Sequence, residues 1–168
     1  LFRDTAHFTA ASVANYQYAK NHGYEYVHVS TDQLKEIDGR QMLTTPEGPE
    51  RETTWIKIIA LKYALSKFPD ATFVVWLDTD AYFRDYVTGV PAMVAKAREV
   101  DPGAGEAVFI GTEECPGGEL CPPDPAYACR MNTGVIILSQ NHTKKKNARN
   151  FISKLWTVPL EHESFNPY

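Results

Sequence analysis

Apolar positions along the chain change repeatedly between helical and strand spacing. Residues 5–22 carry apolar side chains at roughly helical spacing and stop before Gly23, a residue favoured just past a helix end. Residues 24–30, YEYVHVS, alternate as a half-buried strand does. The start of the chain therefore predicts a helix followed by a strand. The apolar positions that define the helix are Phe8, Val13, Tyr16 and Ala19.

The next part of the chain predicts a loop, a helix and a buried strand. Residues 30–50 are rich in turn formers, which favours an exposed loop that could lie over a ligand. Residues 53–68, TTWIKIIALKYALSKF, predict a helix of about four turns with Thr53 or Thr54 as its N-cap. Residues 71–77, ATFVVWL, are apolar on both faces, as is typical of a central strand covered by helices on both sides.

The remaining elements complete an α/β pattern. A short helix is predicted at about 91–99 and a closing helix at 143–157, with strands at 107–112 and 134–139 between them. Helices that alternate with strands predict an α/β domain, which we expect to have a mostly parallel sheet with helices on both faces. In open sheets of this class, ligands bind outside the carboxyl ends of the strands, so functional residues are expected there.

Composition narrows the class of protein. The 168 residues are 43% hydrophobic and 23% charged, which predicts a single globular domain over residues 1–168. A net charge of −4 and a pI near 5.7 give no basic field for a nucleic-acid partner. No apolar run approaches the about 20 residues that span a bilayer, so any membrane anchor is expected outside this segment.

Two features favour the lumen of the secretory pathway. Cys115, Cys121 and Cys129 lie in one loop with spacings that match no common zinc site, which predicts one disulfide and one further thiol. Residues 141–143, Asn-His-Thr, fit the N-glycosylation pattern of a glycoprotein.

The strand at 71–77 ends at two carboxylates, Asp78 and Asp80. In an extended segment these side chains point to one side, where they repel each other unless a cation or a proton lies between them. Mg²⁺ or Mn²⁺ suits such ligands and leaves open positions for phosphate oxygens. The alternative is structural: Asp80 caps the following turn and Asp78 bonds backbone amides.

Residues around the start of the preceding helix fit a diphosphate. A helix N-terminus attracts anions, and Lys57 and Arg51 could add positive charge there. Trp55 either packs in the core or stacks on the substrate. Lys57 could equally be an ordinary surface lysine.

The stretch RETTWIKIIALKYALSKFPDATFVVWLDTDAYFRD resembles glycosyltransferase family 34, as do NYQYAKNHGYEYVHVS before it and MNTGVIILS after it. This family includes fungal Golgi α-galactosyl- and α-mannosyltransferases and plant xyloglucan xylosyltransferases. The resemblance implies a GT-A fold, a Rossmann-like α/β sheet in which a D-x-D motif holds Mn²⁺ (or Mg²⁺) against the donor diphosphate. It implies that Asp78 and Asp80 are metal ligands and that Lys57 faces the donor.

The resemblance also implies an activity. We expect a metal-dependent transferase that moves a hexose or pentose from a UDP- or GDP-sugar to a glycan acceptor hydroxyl with retained configuration. The family's N-T-G motif corresponds to Asn132, Thr133 and Gly134, beside the sugar and acceptor. Thr31 and Asp32, at the root of the 30–50 loop, are candidates for the nucleoside side. The expected location is the Golgi lumen, as part of a type II membrane protein.

The chain departs from the family pattern at both ends. The family's first nucleotide-binding strand and its C-terminal part are not recognisable, so we expect a GT-A domain truncated at both ends. The late histidine that completes the family's metal shell is also not recognisable, because the context of His162 does not fit it.

Two other functions remain alternatives. A haloacid-dehalogenase-like phosphatase also has a strand followed by D-x-D, but it needs a small residue where this chain has Tyr82. It also needs a late acidic pair, whereas Asp101 and Asp124 are far apart. A non-catalytic domain that only binds a nucleotide sugar or a glycan is the second alternative.

Overall fold

The structure, a computed structural model, describes residues 5–30, 55–100, 108–114, 130–140 and 148–157. The chain divides into two compact units, one formed by Leu1–His28 and Val75–Ser139, the other by Val29–Val74 and Gln140–Tyr168. The helices are α1 (Thr5–His22), α2 (Ile56–Lys67), α3 (Val90–Val100) and α4 (Ala148–Thr157). The strands are β1 (Phe73–Leu77), β2 (Phe109–Glu114) and β3 (Arg130–Ser139).

Helix α1 ends where the sequence predicts. Gly23 has a φ of 68°, a conformation that costs a glycine little because it has no Cβ. The Gly23 N–H donates to the Lys20 carbonyl (3.3 Å) and the Tyr24 N–H donates to the Ala19 carbonyl (2.8 Å). These two bonds form a Schellman motif, which satisfies carbonyls at the helix end.

The buried face of α1 differs from the predicted one. Val13 and Tyr16 are 62% and 54% exposed, so they do not belong to the core. The buried stripe includes the predicted Ala19, but its other members are one small, one polar and one aromatic residue. Its members are Ala11, Asn15, Tyr18 and Ala19.

Residues 24–30 do not form the predicted strand. An extended segment becomes a strand only when a neighbour accepts and donates its backbone hydrogen bonds, and alternation in sequence does not supply that neighbour. The tyrosines of this segment interact with α1 instead. The hydroxyl groups of Tyr26 and Ser12 share a 2.9 Å hydrogen bond. The rings of Tyr26 and Tyr16 pack edge to face, with 5.9 Å between their centroids.

The described strands form one sheet in the order β1-β3-β2. Strand β3 pairs antiparallel with β2. The bonds from the Asp78 N–H to Gly134 O and from the Gln140 N–H to Thr72 O run in opposite order along β1 and β3, so this pair is antiparallel as well. We expected a mostly parallel sheet, but these three strands are antiparallel. Apolar residues on both faces of a strand indicate that it is buried and do not indicate its direction.

The second unit is built on α2 and α4. Five consecutive residues of α2, Lys57 to Leu61, are buried, which makes this helix internal on most of its faces. The Arg149 guanidinium of α4 donates to the Leu65 carbonyl of α2 at 2.7 Å. The predicted helix is confirmed, and the residue at its N-cap position is Trp55, which makes no side-chain cap hydrogen bond. The predicted N-caps, Thr53 and Thr54, lie outside the described residues.

The other predicted elements are confirmed with shifted ends. Helix α3 extends the 91–99 prediction by one residue at each end, and β2 begins two residues later than predicted. Strand β3 begins at Arg130, four residues before the prediction, which brings Asn132, Thr133 and Gly134 into the sheet. In the part of the chain that is described, no helix combines the length and apolar character that crossing a membrane requires.

Several predicted features lie outside the described residues. They are the 31–50 loop with Thr31 and Asp32, together with Arg51, the three cysteines, the 141–143 glycosylation triplet and His162.

Candidate active site

The candidate site lies in the first unit, where β1 ends beside β3. The Asp78 N–H donates to the Gly134 carbonyl at 2.8 Å and continues the ladder one residue past β1. The half-buried Asp78 carboxylate accepts a 2.5 Å hydrogen bond at Oδ1 from the Trp76 indole N–H. The sheet and the indole therefore fix Asp78, and its second oxygen, Oδ2, faces Gly134.

Asp80 is held differently, because the chain turns directly after Asp78. The Ala81 N–H donates to the Asp78 carbonyl at 3.0 Å, which closes a β-turn with Thr79 and Asp80 at its centre. We expected an extended segment here, so that prediction is wrong. The local backbone bond of the turn replaces the ladder, and Asp80 is exposed to solvent at the end of the sheet.

The predicted Asn-Thr-Gly motif lies on an irregularity of β3. Gly111 of β2 is opposite Ile136, yet the next residue, Thr112, is opposite Asn132. One step along β2 thus spans four positions of β3, and the residues between are bulged out of the β2 register. Bulges are over-represented next to active sites because they redirect side chains.

Gly134 leaves room for the oxygens that meet at this point. A Cβ at Gly134 would lie 2.9 Å from Asn132 Oδ1 and 3.6 Å from Asp78 Oδ2, so both oxygens face the space that glycine leaves open. The Gly134 N–H donates to Asn132 Oδ1 at 2.8 Å and fixes the orientation of the amide. The structure therefore brings together three of the predicted site residues, with Thr133 on the bulge between two of them.

Helix α1 holds the chain immediately after the turn, a feature that the sequence analysis missed. The buried Asn15 donates from Nδ2 to the Ala81 carbonyl (2.8 Å) and accepts at Oδ1 from the Phe83 N–H (3.2 Å). An asparagine within the buried stripe of a helix is the signal that could have found it, because a buried amide requires partners.

Aromatic rings pack behind this contact. We define the aromatic cluster as Tyr18, His22, Tyr24, Phe83 and Tyr86. Tyr18 is 1% exposed, stacks on Phe83 at 3.9 Å and donates its hydroxyl to the Thr88 carbonyl at 2.8 Å. Burial, with smaller contributions from Tyr24 and Asp85, raises the pKa of Tyr18 to about 12. Tyr18 therefore stays neutral in the physiological range and acts as a packing group.

Asp85 organises the turn that leads to α3. Its Oδ1 accepts hydrogen bonds from the Val87 N–H (2.8 Å) and the Thr88 N–H (3.3 Å). Hydrogen bonds from the Thr88 side chain and then from these amides lower the pKa of Asp85, with a smaller contribution from His22. This carboxylate is thus a turn cap in the described structure.

Lys57 and Trp55 belong to the second unit. Lys57 is only 9% exposed, which contradicts the alternative of an ordinary surface lysine. The residue also has at least one interaction partner. Trp55 is half-buried in the turn that precedes α2. The other two predicted donor-binding residues, Arg51 and Asp32, lie outside the described residues.

The oxygens at the β1–β3 edge are of the chemical kind that binds hard divalent cations. Carboxylate oxygens such as those of Asp78 and Asp80 are ligands of the kind that Mg²⁺ and Mn²⁺ prefer. Within the described ranges, no group of three or more His, Cys, Asp or Glu residues could hold a metal ion. A cation held by these few side chains would keep positions for substrate oxygens.

Comparison with known proteins decides the family. The sequence profile of the galactosyl transferase GMA12/MNN10 family, which is glycosyltransferase family 34, matches residues 3–101. The chain belongs to this family. The match covers α1, α2, β1 and α3, and it includes Lys57, Asp78 and Asp80.

Two individual proteins are also similar to this chain. An uncharacterized alpha-1,2-galactosyltransferase of Schizosaccharomyces pombe is 33% identical over 64 residues, which are 38% of this chain and 14% of that protein. The crystal structure of a glycosyltransferase involved in glycosylation of the major capsid of PBCV-1 matches with a TM-score of 0.56 and 17% identity. That match covers 100% of this chain and 68% of the other, and it confirms the expected α/β glycosyltransferase fold. Membership of the GMA12/MNN10 family decides against the phosphatase alternative.

Proposed function

We propose that this protein is a metal-dependent glycosyltransferase that moves a hexose or pentose from a nucleotide-diphosphate sugar to a glycan hydroxyl. The observation that carries the proposal is the meeting of Asp78 Oδ2 and Asn132 Oδ1 at the open face of Gly134, in a chain of the GMA12/MNN10 family. Galactose is the first sugar to test, because the family description and the fission-yeast relative both name it.

Each residue of the candidate site has a role in this proposal. Asp78 and Asp80 would hold Mn²⁺ or Mg²⁺, which supplies positive charge to neutralise the diphosphate as it leaves. Asn132, fixed at Oδ1 by the Gly134 N–H, presents its remaining amide donors to the sugar or the acceptor. Gly134 keeps the space between them open. Thr133, on the same bulge, lines the acceptor side.

Four further residues are proposed to contact the donor. Lys57 and Arg51 supply positive charge to the diphosphate, and Trp55 packs against the donor. Lys57 is 9% exposed, so burial restricts the conformations of its side chain. Asp32 is proposed for the nucleoside side.

Retention of the sugar configuration is part of the proposal. Departure of the nucleoside diphosphate would leave its charge beside Asp78, Asp80 and their cation, while the acceptor hydroxyl attacks the same face of the sugar. None of these residues is assigned as a covalent nucleophile or as a base. The proposed location is the Golgi lumen, within a type II membrane protein.

A donor screen tests the proposal directly. The purified protein is incubated with a glycan acceptor and UDP-galactose, GDP-mannose or UDP-xylose, with Mn²⁺, Mg²⁺ or EDTA, and the released nucleotide is measured. We expect release with one donor, its loss in EDTA and its recovery when Mn²⁺ is restored. Product NMR of the anomeric proton then distinguishes retention from inversion.

Binding measurements separate the transferase from the non-catalytic alternative. Thermal unfolding with UDP or GDP, with and without Mn²⁺, reports donor binding without turnover. A Mn²⁺-dependent shift with no nucleotide release from any donor would favour a binding domain. No shift with either nucleotide would contradict the proposed donor site itself.

A further inference from the structure

We infer that Asn15 is a positioning residue for the proposed metal site: it acts by fixing the backbone that carries Asp80. The inference rests on the proposed function, because it concerns the affinity of the Asp78–Asp80 turn for its cation. The turn is attached at two points. Asp78 is held at its start by β3, through the Gly134 carbonyl, and Asn15 holds the chain at its end.

The contact with Asn15 is a two-point clamp on the main chain. Nδ2 donates to the carbonyl of Ala81, the residue directly after Asp80, and Oδ1 accepts from the N–H of Phe83. A carbonyl and an N–H two residues apart define both the position and the rotation of the backbone between them. A side chain that can only donate or only accept hydrogen bonds could not satisfy both groups.

The partners of Asn15 also determine which way its amide faces. With the amide reversed, Oδ1 would face the Ala81 carbonyl and the NH₂ group would face the Phe83 N–H, so both bonds would be lost. Asn15 is 6% exposed, and water cannot readily replace a lost partner at that site. The helix thus dictates one backbone geometry for the end of the turn.

Exposure of Asp80 makes this clamp important. Asp80 is exposed. The Ala81 N–H to Asp78 carbonyl bond closes the turn around it, and the clamp on Ala81 and Phe83 holds the chain directly after it. A carboxylate on an unfixed turn would lose conformational freedom on binding a cation, and a fixed turn has already lost it. Asn15 therefore contributes to metal affinity by pre-organisation.

Direct Mn²⁺ binding, measured from the electron paramagnetic resonance signal of free Mn²⁺, tests the inference without turnover. We expect Asn15→Ala to raise the Mn²⁺ dissociation constant about tenfold, at the low end of the range for residues that orient metal ligands. Asn15→Leu should do the same, because it fills the space and favours the helix but restores neither bond. If Asn15→Ala does not fold, Asn15→Leu carries the test.

Tyr18→Phe is the matched control. It also removes one hydrogen bond from α1 to a backbone carbonyl, but that carbonyl belongs to Thr88, well past the turn. We expect Tyr18→Phe to lower the unfolding temperature and to leave the Mn²⁺ dissociation constant within about twofold of wild type. Hydrogen exchange gives a second readout: the Ala81 amide should exchange faster in Asn15→Ala and not in Tyr18→Phe.

The outcomes separate the two proposals. Wild-type Mn²⁺ affinity in both Asn15 variants would overturn the positioning role and leave the proposed function standing. Equal weakening in Tyr18→Phe would also overturn it, since general loss of stability would then explain the effect. No Mn²⁺ binding by wild-type protein would overturn the metal-dependent function, and the inference with it.

Discussion

Two neighbouring regions of the first unit are built in opposite ways. At the edge of β1 and β3, the backbone is irregular, with a turn and a bulge, and the side chains are polar and partly exposed. Around the aromatic cluster, a regular helix packs stacked rings against residues 83–88, and Tyr18 is 1% exposed. The first region presents oxygens to solvent, and the second removes apolar surface from it.

The comparison of the two regions shows how an exposed site can be well ordered. The oxygens at the β1–β3 edge must stay accessible to a cation and a substrate, so they cannot be fixed by burial. Their backbone is fixed instead through a buried group, the Asn15 amide. We therefore expect the first region to determine activity and the second to determine stability.

Asp80→Asn is the substitution expected to have the largest effect. It should lower nucleotide release by about 10²- to 10³-fold, because it removes a charged ligand of the proposed cation. The free energy of unfolding should change by less than about 0.5 kcal/mol, since Asp80 is exposed. Steady-state kinetics and urea denaturation measure the two effects. Asp70→Asn, an exposed charge removed elsewhere, should affect neither.

Tyr18→Ala tests the other region. Loss of a fully buried ring should lower the free energy of unfolding by about 3–5 kcal/mol in urea denaturation. Val13→Ala, on the exposed side of the same helix, should change it by less than about 0.5 kcal/mol. Similar costs for the two variants would mean that the aromatic cluster is not the stabilising region.

Gly134→Ala probes the point where the site oxygens meet. Its Cβ would lie 2.9 Å from Asn132 Oδ1, and this overlap should cost about 1–3 kcal/mol of unfolding free energy. In an Asn132→Ala background the cost should fall by about 1 kcal/mol, as a double-mutant cycle can measure. Gly23→Ala is the control, because its cost comes from a φ of 68° and should not depend on Asn132. An additive cycle at Gly134 would contradict the contact.

Asp85 should make a small pH-dependent contribution. Because its pKa is lowered from 3.8 in the folded protein, the contribution is present above about pH 4 and is lost as pH falls through the folded pKa. Asp85→Asn keeps an acceptor that does not titrate. The unfolding temperature of wild type should therefore fall more steeply than that of Asp85→Asn between pH 5 and pH 2. Parallel curves would show that the turn does not depend on this charge.

Much of the site could be predicted because its chemistry is local in sequence. Asp78 and Asp80 follow an apolar strand, so these carboxylates were predicted from residue type and placement. Asn132, Thr133 and Gly134 were predicted from the family resemblance. The burial of Lys57 resolved an alternative that the sequence left open. The clamp by Asn15 was missed because its partners lie 66 and 68 residues away.

Local sequence patterns were enough to predict the α/β class and the family resemblance. They also predicted that α1 ends at Gly23 and that β1 ends at Asp78. These properties depend on periodicity, on glycine conformation and on residues close together in the chain. Only the tertiary structure decided the antiparallel direction of β1, β2 and β3, the bulge in β3 and the exposed face of α1. Strand direction and helix orientation depend on which distant segment supplies hydrogen bonds and buried surface, and no local pattern contains that information.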